Sequence, residues 1–95
     1  VYMAPEVFEG RSCLKSDVWS LGISIIELAE GRNPYMSYQA NAIQRAVVET
    51  PSPSLSSRWS AQFVDFVNQC LIKDAEERPS IAALMNVFVV YSTQK

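Results

Sequence analysis

The sequence of 95 residues has no histidine, only two cysteines and only three glycines. Cys13 and Cys70 stand far apart, without metal-ligand spacing and without an imidazole to assist them, so no metal site is expected. The two thiols are expected to be reduced and buried rather than joined in a disulfide. A net charge of -2 leaves neither a basic patch for nucleic acid nor an acidic tail. The first residues lack a basic stretch followed by an apolar block, so no signal peptide is read there. Nothing alternates long enough to make a convincing strand. The chain has room for one small domain at most, with a limited core.

What the chain does have is one dominant apolar helix. Asp17 can cap its start, and Gly31 can end it in the left-handed conformation. Between them Val18, Trp19, Leu21, Ile23, Ile25, Ile26 and Leu28 cover most of the circumference. A helix apolar nearly all round is normally buried on every side. This one is shorter than the roughly 20 apolar residues that span a bilayer, and Glu27 interrupts it. We therefore expect a central buried helix with others packed around it. Its β-branched residues are mediocre helix formers, so tertiary packing must hold it. Gly22 in its interior costs about 1 kcal/mol against alanine and implies a close neighbour.

Amphipathic helices are expected around it. Pro5 suits the first turn of a short helix. Arg32-Asn33-Pro34-Tyr35 reads as a turn, because Pro34 disfavours helix at Asn33. Ser37 can cap a helix from about Tyr38 to Glu49, with Ala42, Ile43, Ala46 and Val47 on one face. Pro51 to Ser57 is too rich in turn residues to be anything but a loop. Ser60 caps a helix with Phe63, Phe66, Val67, Cys70 and Leu71 in one stripe, and Ser80 caps another with Ile81, Leu84, Met85, Phe88 and Val89. That last helix can fray over Val87 to Tyr91. The fold class is all-α.

Three motifs carry a resemblance. Ala4-Pro5-Glu6, the run Asp17-Val-Trp-Ser-Leu-Gly22 and Glu77-Arg78-Pro79 resemble, in register, the second half of the C-lobe of eukaryotic protein kinases. Val1-Tyr-Met-Ala-Pro-Glu6, Lys15 to Ala29, Val47-Val-Glu-Thr-Pro-Ser-Pro53 and Phe63-Val-Asp-Phe66 are similar to the MAP kinase kinases, especially the stress-activated branch. The chain departs from such relatives at Asn86-Val87-Phe88, where they usually carry His-Pro-Phe.

The resemblance implies a specific division of labour. Residues 1–95 would be a partial kinase domain, running from the Ala-Pro-Glu motif to the last C-lobe helix. No G-x-G-x-x-G, His-Arg-Asp or Asp-Phe-Gly motif is present, so the N-lobe, the catalytic loop and every catalytic residue would lie before Val1, and the chain is expected to be a fragment. Tyr2, Met3 and Ala4 would fall on the loop that contacts substrate beside the phosphorylated residue. Glu6 and Arg78 would form a buried ion pair, and Asp17 would accept backbone hydrogen bonds from the catalytic loop. Trp19 and Gly22 would be scaffold.

The intact kinase would use ATP and magnesium, and this chain alone would bind neither and be inactive. Its partners would be a MAP kinase substrate and an upstream MAP kinase kinase kinase, in the cytoplasm and also the nucleus, with no nucleic acid and no membrane. A non-catalytic pseudokinase lobe or helical partner-binding module is the alternative.

Overall fold

The structure is a computed structural model that describes the backbone of residues 2–93 and the side chains of residues 2–87. Pro5, at the first helical position, opens α1 (Pro5–Phe8), which Gly10 ends with φ 81°. The dominant helix, α2, runs Leu14–Glu30 and stops at Gly31 in the left-handed region, φ 84°, where its N–H bonds to Glu27 O. Three more helices follow: α3 (Ala40–Glu49), α4 (Ala61–Cys70) and α5 (Ile81–Thr93). The described residues contain helices, turns and loops but no strand.

Two helix starts follow their sequence signals. Ser60 Oγ accepts from Phe63 N–H at 3.2 Å, and Ser80 Oγ accepts from Ala83 N–H at 3.1 Å. Two others correct the sequence reading. α2 begins before Asp17, with Cys13 as N-cap residue, and Ser16 Oγ accepts the Cys13 N–H at 3.1 Å. Asp17 therefore sits inside the first turn, where its charge still suits the positive end of the helix. α3 begins after Gln39 rather than Ser37, because Tyr35–Tyr38 closes a turn, with Tyr38 N–H bonding Tyr35 O at 3.2 Å.

The core forms where α4 lies along α2 and α5 lies on α4, with α1 against α3. Val18, Trp19, Ile23 and Ile26 of α2 meet Val67, Cys70 and Leu71, and Leu84 of α5 joins the cluster. Ala46 and Val47 of α3, with Leu55 from the loop, close it. Gly22 explains the tight α2–α4 approach: a Cβ there would stand 2.7 Å from Cys70 Cβ.

Burial of α2 is one-sided, which corrects the expectation of cover all round. Leu14 and Leu28 are each 85% exposed, and Leu21 is exposed too. α4 packs against the opposite face. On α5, Leu84 is buried while Ile81 and Met85 are exposed, so its expected stripe is only partly used; the side chains of Phe88 and Val89 lie outside the described residues. Backbone helix continues through 87–91 to Thr93, where fraying was expected. Cys70 is buried as expected, but Cys13 is exposed at the α2 start, and both are free.

Candidate functional site

Arg78 lies in the loop between α4 and α5 and has no exposed surface. Burying a guanidinium is costly unless its charge is paired and its donors are satisfied. Here they are. Nη1 and Nη2 donate to Glu6 Oε2 and Oε1 at 2.9 and 3.0 Å, a parallel two-bond pair. Nε donates to Ile72 O at 2.7 Å, Nη1 also to Lys15 O at 2.8 Å, and Nη2 also to Lys73 O at 3.1 Å. These acceptors account for every N–H of the guanidinium. The group also stacks over Trp19, with Cζ 5.3 Å from the ring centroid.

Glu6 is held from a third side. Ser16 Oγ donates to Oε2 at 2.7 Å. Burial alone would push this carboxyl up, but the hydrogen bonds from Arg78 and Ser16 outweigh it and bring it down to about 2. One ion pair thus joins α1, the first turn of α2 and the loop before α5. Its residues come from opposite ends of the chain.

Immediately before α1 the chain forms a ledge on α2. Ala4 is fully buried and anchors the segment. The Tyr2 carbonyl accepts from Ser20 Oγ at 2.7 Å, and the Tyr2 hydroxyl donates to Glu27 Oε1 at 2.5 Å. Tyr2 and Met3 nevertheless remain 38% and 44% exposed, so the ledge presents side chains outward from a fixed backbone. Asn33 Nδ2 donates to the same Glu27 oxygen at 3.1 Å, while Asn33 Oδ1 accepts the Tyr35 N–H at 2.9 Å.

Asp17 stands apart from these contacts. It is exposed in the first turn of α2 and has no hydrogen-bond partner among the described residues. Trp19 and Gly22 are buried on the other flank of the helix, under Arg78 and against α4 respectively. The structure therefore gathers Glu6, Trp19 and Arg78 into one cluster, places Tyr2 to Ala4 beside it, and leaves Asp17 outside.

Comparison with known proteins decides what this arrangement is. The model of the protein kinase domain matches residues 1–89. The chain belongs to the protein kinase domain family. Serine/threonine-protein kinase hippo of Drosophila melanogaster is 40% identical over 88% of this chain and 13% of its own length. Two Dictyostelium discoideum proteins are similar: serine/threonine-protein kinase dst1, 42% identical over 90% of this chain and 12% of itself, and serine/threonine-protein kinase pakB, 41% identical over 90% of this chain and 10% of itself. This kinase chain thus spans 10–13% of the length of these curated relatives. All three are named serine/threonine kinases, and none of the three is named a MAP kinase kinase.

Kinases of this family work with ATP and magnesium. No set of three or more His, Cys, Asp or Glu among the described residues is placed to hold a metal ion. The sequence also contains no G-x-G-x-x-G loop to cover phosphates.

Two contacts escaped the sequence reading. Glu27 was legible only as a charge interrupting an apolar helix, and Ser20 only as part of a motif. Nothing in local pattern tells that both reach Tyr2, because their meeting depends on how the ledge lies along α2.

Proposed function

We propose that this chain is the substrate-side and scaffold portion of the C-lobe of a kinase that acts as a MAP kinase kinase. Its parent transfers the γ-phosphoryl group of ATP to Thr and Tyr hydroxyls in the activation loop of a MAP kinase, and is itself acted on by an upstream MAP kinase kinase kinase. Membership of the protein kinase domain family supports the reaction class. The MAP kinase kinase assignment rests on the runs at 1–6, 15–29 and 47–53, which resemble that branch. Cytoplasm and nucleus are the proposed compartments; among the described residues no helix is long and apolar enough to cross a membrane.

One observation supports the local role: Tyr2 and Met3 form a fixed but outward-facing ledge, anchored by the fully buried Ala4 next to the Glu6–Arg78 pair, so Ala4 supports the contact surface rather than lining it. Such a ledge suits contact with a peptide passing beside the phosphorylated residue, because a preorganised surface loses little freedom on binding. Asp17, exposed at the α2 start, is free to accept backbone N–H groups from the catalytic loop.

The test is phosphoryl transfer by the parent kinase to a MAP kinase whose own activity has been removed by mutation. Mass spectrometry should find phosphate on both the Thr and the Tyr of its activation loop. Phosphate on serine or threonine alone would contradict the MAP kinase kinase assignment. No transfer to any protein would favour a pseudokinase and overturn the reading.

A further inference from the structure

We propose that Ser56 is a phosphorylation site, and that a phosphoryl group there unlatches the loop between α3 and α4 from the end of α2. The latch is a single carboxylate, Glu30. It shares no residue with the Glu6–Arg78 pair or with Tyr2 to Ala4, and it does not depend on which protein the parent kinase acts on.

Glu30 is the last residue of α2, and donors from three loop residues converge on it. Oε2 accepts the Ser56 N–H at 3.0 Å. Oε1 accepts from Arg58 Nη2 at 3.1 Å, Trp59 Nε1 at 3.2 Å and Ser56 Oγ at 3.4 Å. Arg58 Nη2 also donates to Ala29 O at 3.1 Å, at the helix end where a cation is favourable. Its guanidinium lies over the Trp59 ring, with Cζ 5.1 Å from the centroid, and Trp59 packs edge-on against Phe63 of α4. The hydrogen bonds from Trp59 and the Ser56 backbone hold the Glu30 carboxyl below the ordinary carboxylate range. One anion thus fastens the turn before α4.

Among the hydroxyls of this loop, only that of Ser56 meets the carboxylate. Thr50 Oγ1 turns back on Ala46 O, Ser52 donates to Leu71 O, Ser54 donates to Asn68 Oδ1, and Ser60 caps α4. Ser56 is exposed, and its Oγ makes the longest of the bonds to Glu30, so little is lost when a serine/threonine kinase takes the hydroxyl. ATP is the donor. Ser56 Oγ bonds the γ-phosphorus as the bond to the bridging oxygen breaks, ADP leaves, and the hydroxyl proton passes to the carboxylate base of the modifying kinase. The product sets a charge of about -1.5 to -2 against Glu30 and offers three acceptor oxygens to Arg58, two residues on. Like charge drives Glu30 off, and Arg58, its side chain 65% exposed, turns to the phosphoryl group. Trp59 Nε1 and the Ser56 N–H then lose their acceptor.

The full parent kinase tests both halves of this. Trypsin releases residues 46–58 as one peptide ending at Arg58, in which mass spectrometry localises phosphate to a single hydroxyl. Parent kinase isolated from its own growing and stressed cells should carry phosphate on Ser56 in part of the molecules. Parent kinase with phosphoserine installed at position 56 through an expanded genetic code should show faster hydrogen exchange at the Ser56 amide and a red-shifted Trp59 emission. Trp59→Phe, in which the phosphoryl group should leave the emission unchanged, assigns that shift. Glu30→Gln removes the repulsion and keeps an acceptor oxygen, so in that background the phosphoryl group should speed Ser56 exchange much less. Phosphate confined to other hydroxyls of the peptide, or absent from it in both growing and stressed cells, overturns the site. Unchanged Ser56 exchange and Trp59 emission in the phosphorylated protein overturn the latch, and so does an equal change in the Glu30→Gln background.

Discussion

A Cβ built on Gly22 would stand 2.7 Å from Cys70 Cβ and 2.8 Å from Leu71 Cδ2. The opposing atoms include a Cβ, fixed to the backbone of α4, so no rotamer change can clear the space. Glycine here serves contact rather than backbone freedom, since Gly22 lies within the α2 helix.

Gly22→Ala should therefore destabilise the chain even though alanine is the better helix former. The gain of about 1 kcal/mol in helix propensity is opposed by overpacking of about 1–3 kcal/mol or more at so short a contact. A fall in the urea midpoint is expected. A rise would show that α2 and α4 are further apart than described.

Acid should unfold the protein through Glu6. Its carboxyl lies at about 2 in the fold against an ordinary value of 4.5, so the unfolded chain binds the proton first as pH falls. Stability from this group is fully present above pH 4.5 and is lost as pH falls toward about 2. The shift corresponds to on the order of 3 kcal/mol. Urea midpoints measured across that range should drop for the wild type and drop much less for Glu6→Gln, which starts lower. Parallel slopes would mean that Glu6 is not the titrating group.

The two thiols should separate cleanly. Cys13 is exposed, whereas Cys70 is fully buried and burial pushes its thiol up to about 11. At pH 8 a thiol reagent should modify Cys13 at once and Cys70 only after denaturant is added. Equal reaction rates in the native protein would place Cys70 outside the α2–α4 contact.

Much of this fold was legible because its signals are local. Ser60 and Ser80 cap the helices they precede, Pro5 opens α1, and Gly31 ends α2, each through chemistry within one turn. Gly22 announced a close neighbour without naming it. The misplaced starts also have local causes. Cys13 gives no familiar cap signal; the hydroxyl that serves the end of α2 belongs to Ser16. Ser37 looked like a cap but lies in the Tyr35–Tyr38 turn.

Tertiary features were harder to read. Glu6 and Arg78 were linked only through the motifs around them. The carbonyls of Lys15, Ile72 and Lys73 that complete the arginine's shell carry no side-chain signature at all. Leu21 and Leu28 misled for a related reason: apolar character marks a surface to be covered but not what covers it.

The Arg78–Glu6 pair is the central claim, since it joins the two ends of the chain and anchors the ledge at Tyr2 to Ala4. A double-mutant cycle with Arg78→Lys and Glu6→Gln measures it directly. Lysine keeps the charge but cannot reproduce the planar fork that meets both carboxylate oxygens and three carbonyls. Each single variant should lose about 2 kcal/mol or more, approaching the 3–5 kcal/mol typical of a broken buried pair, with a coupling energy of at least about 1 kcal/mol. Single variants within about 0.5 kcal/mol of the wild type and a coupling near zero would show two solvated surface charges, and would contradict the account.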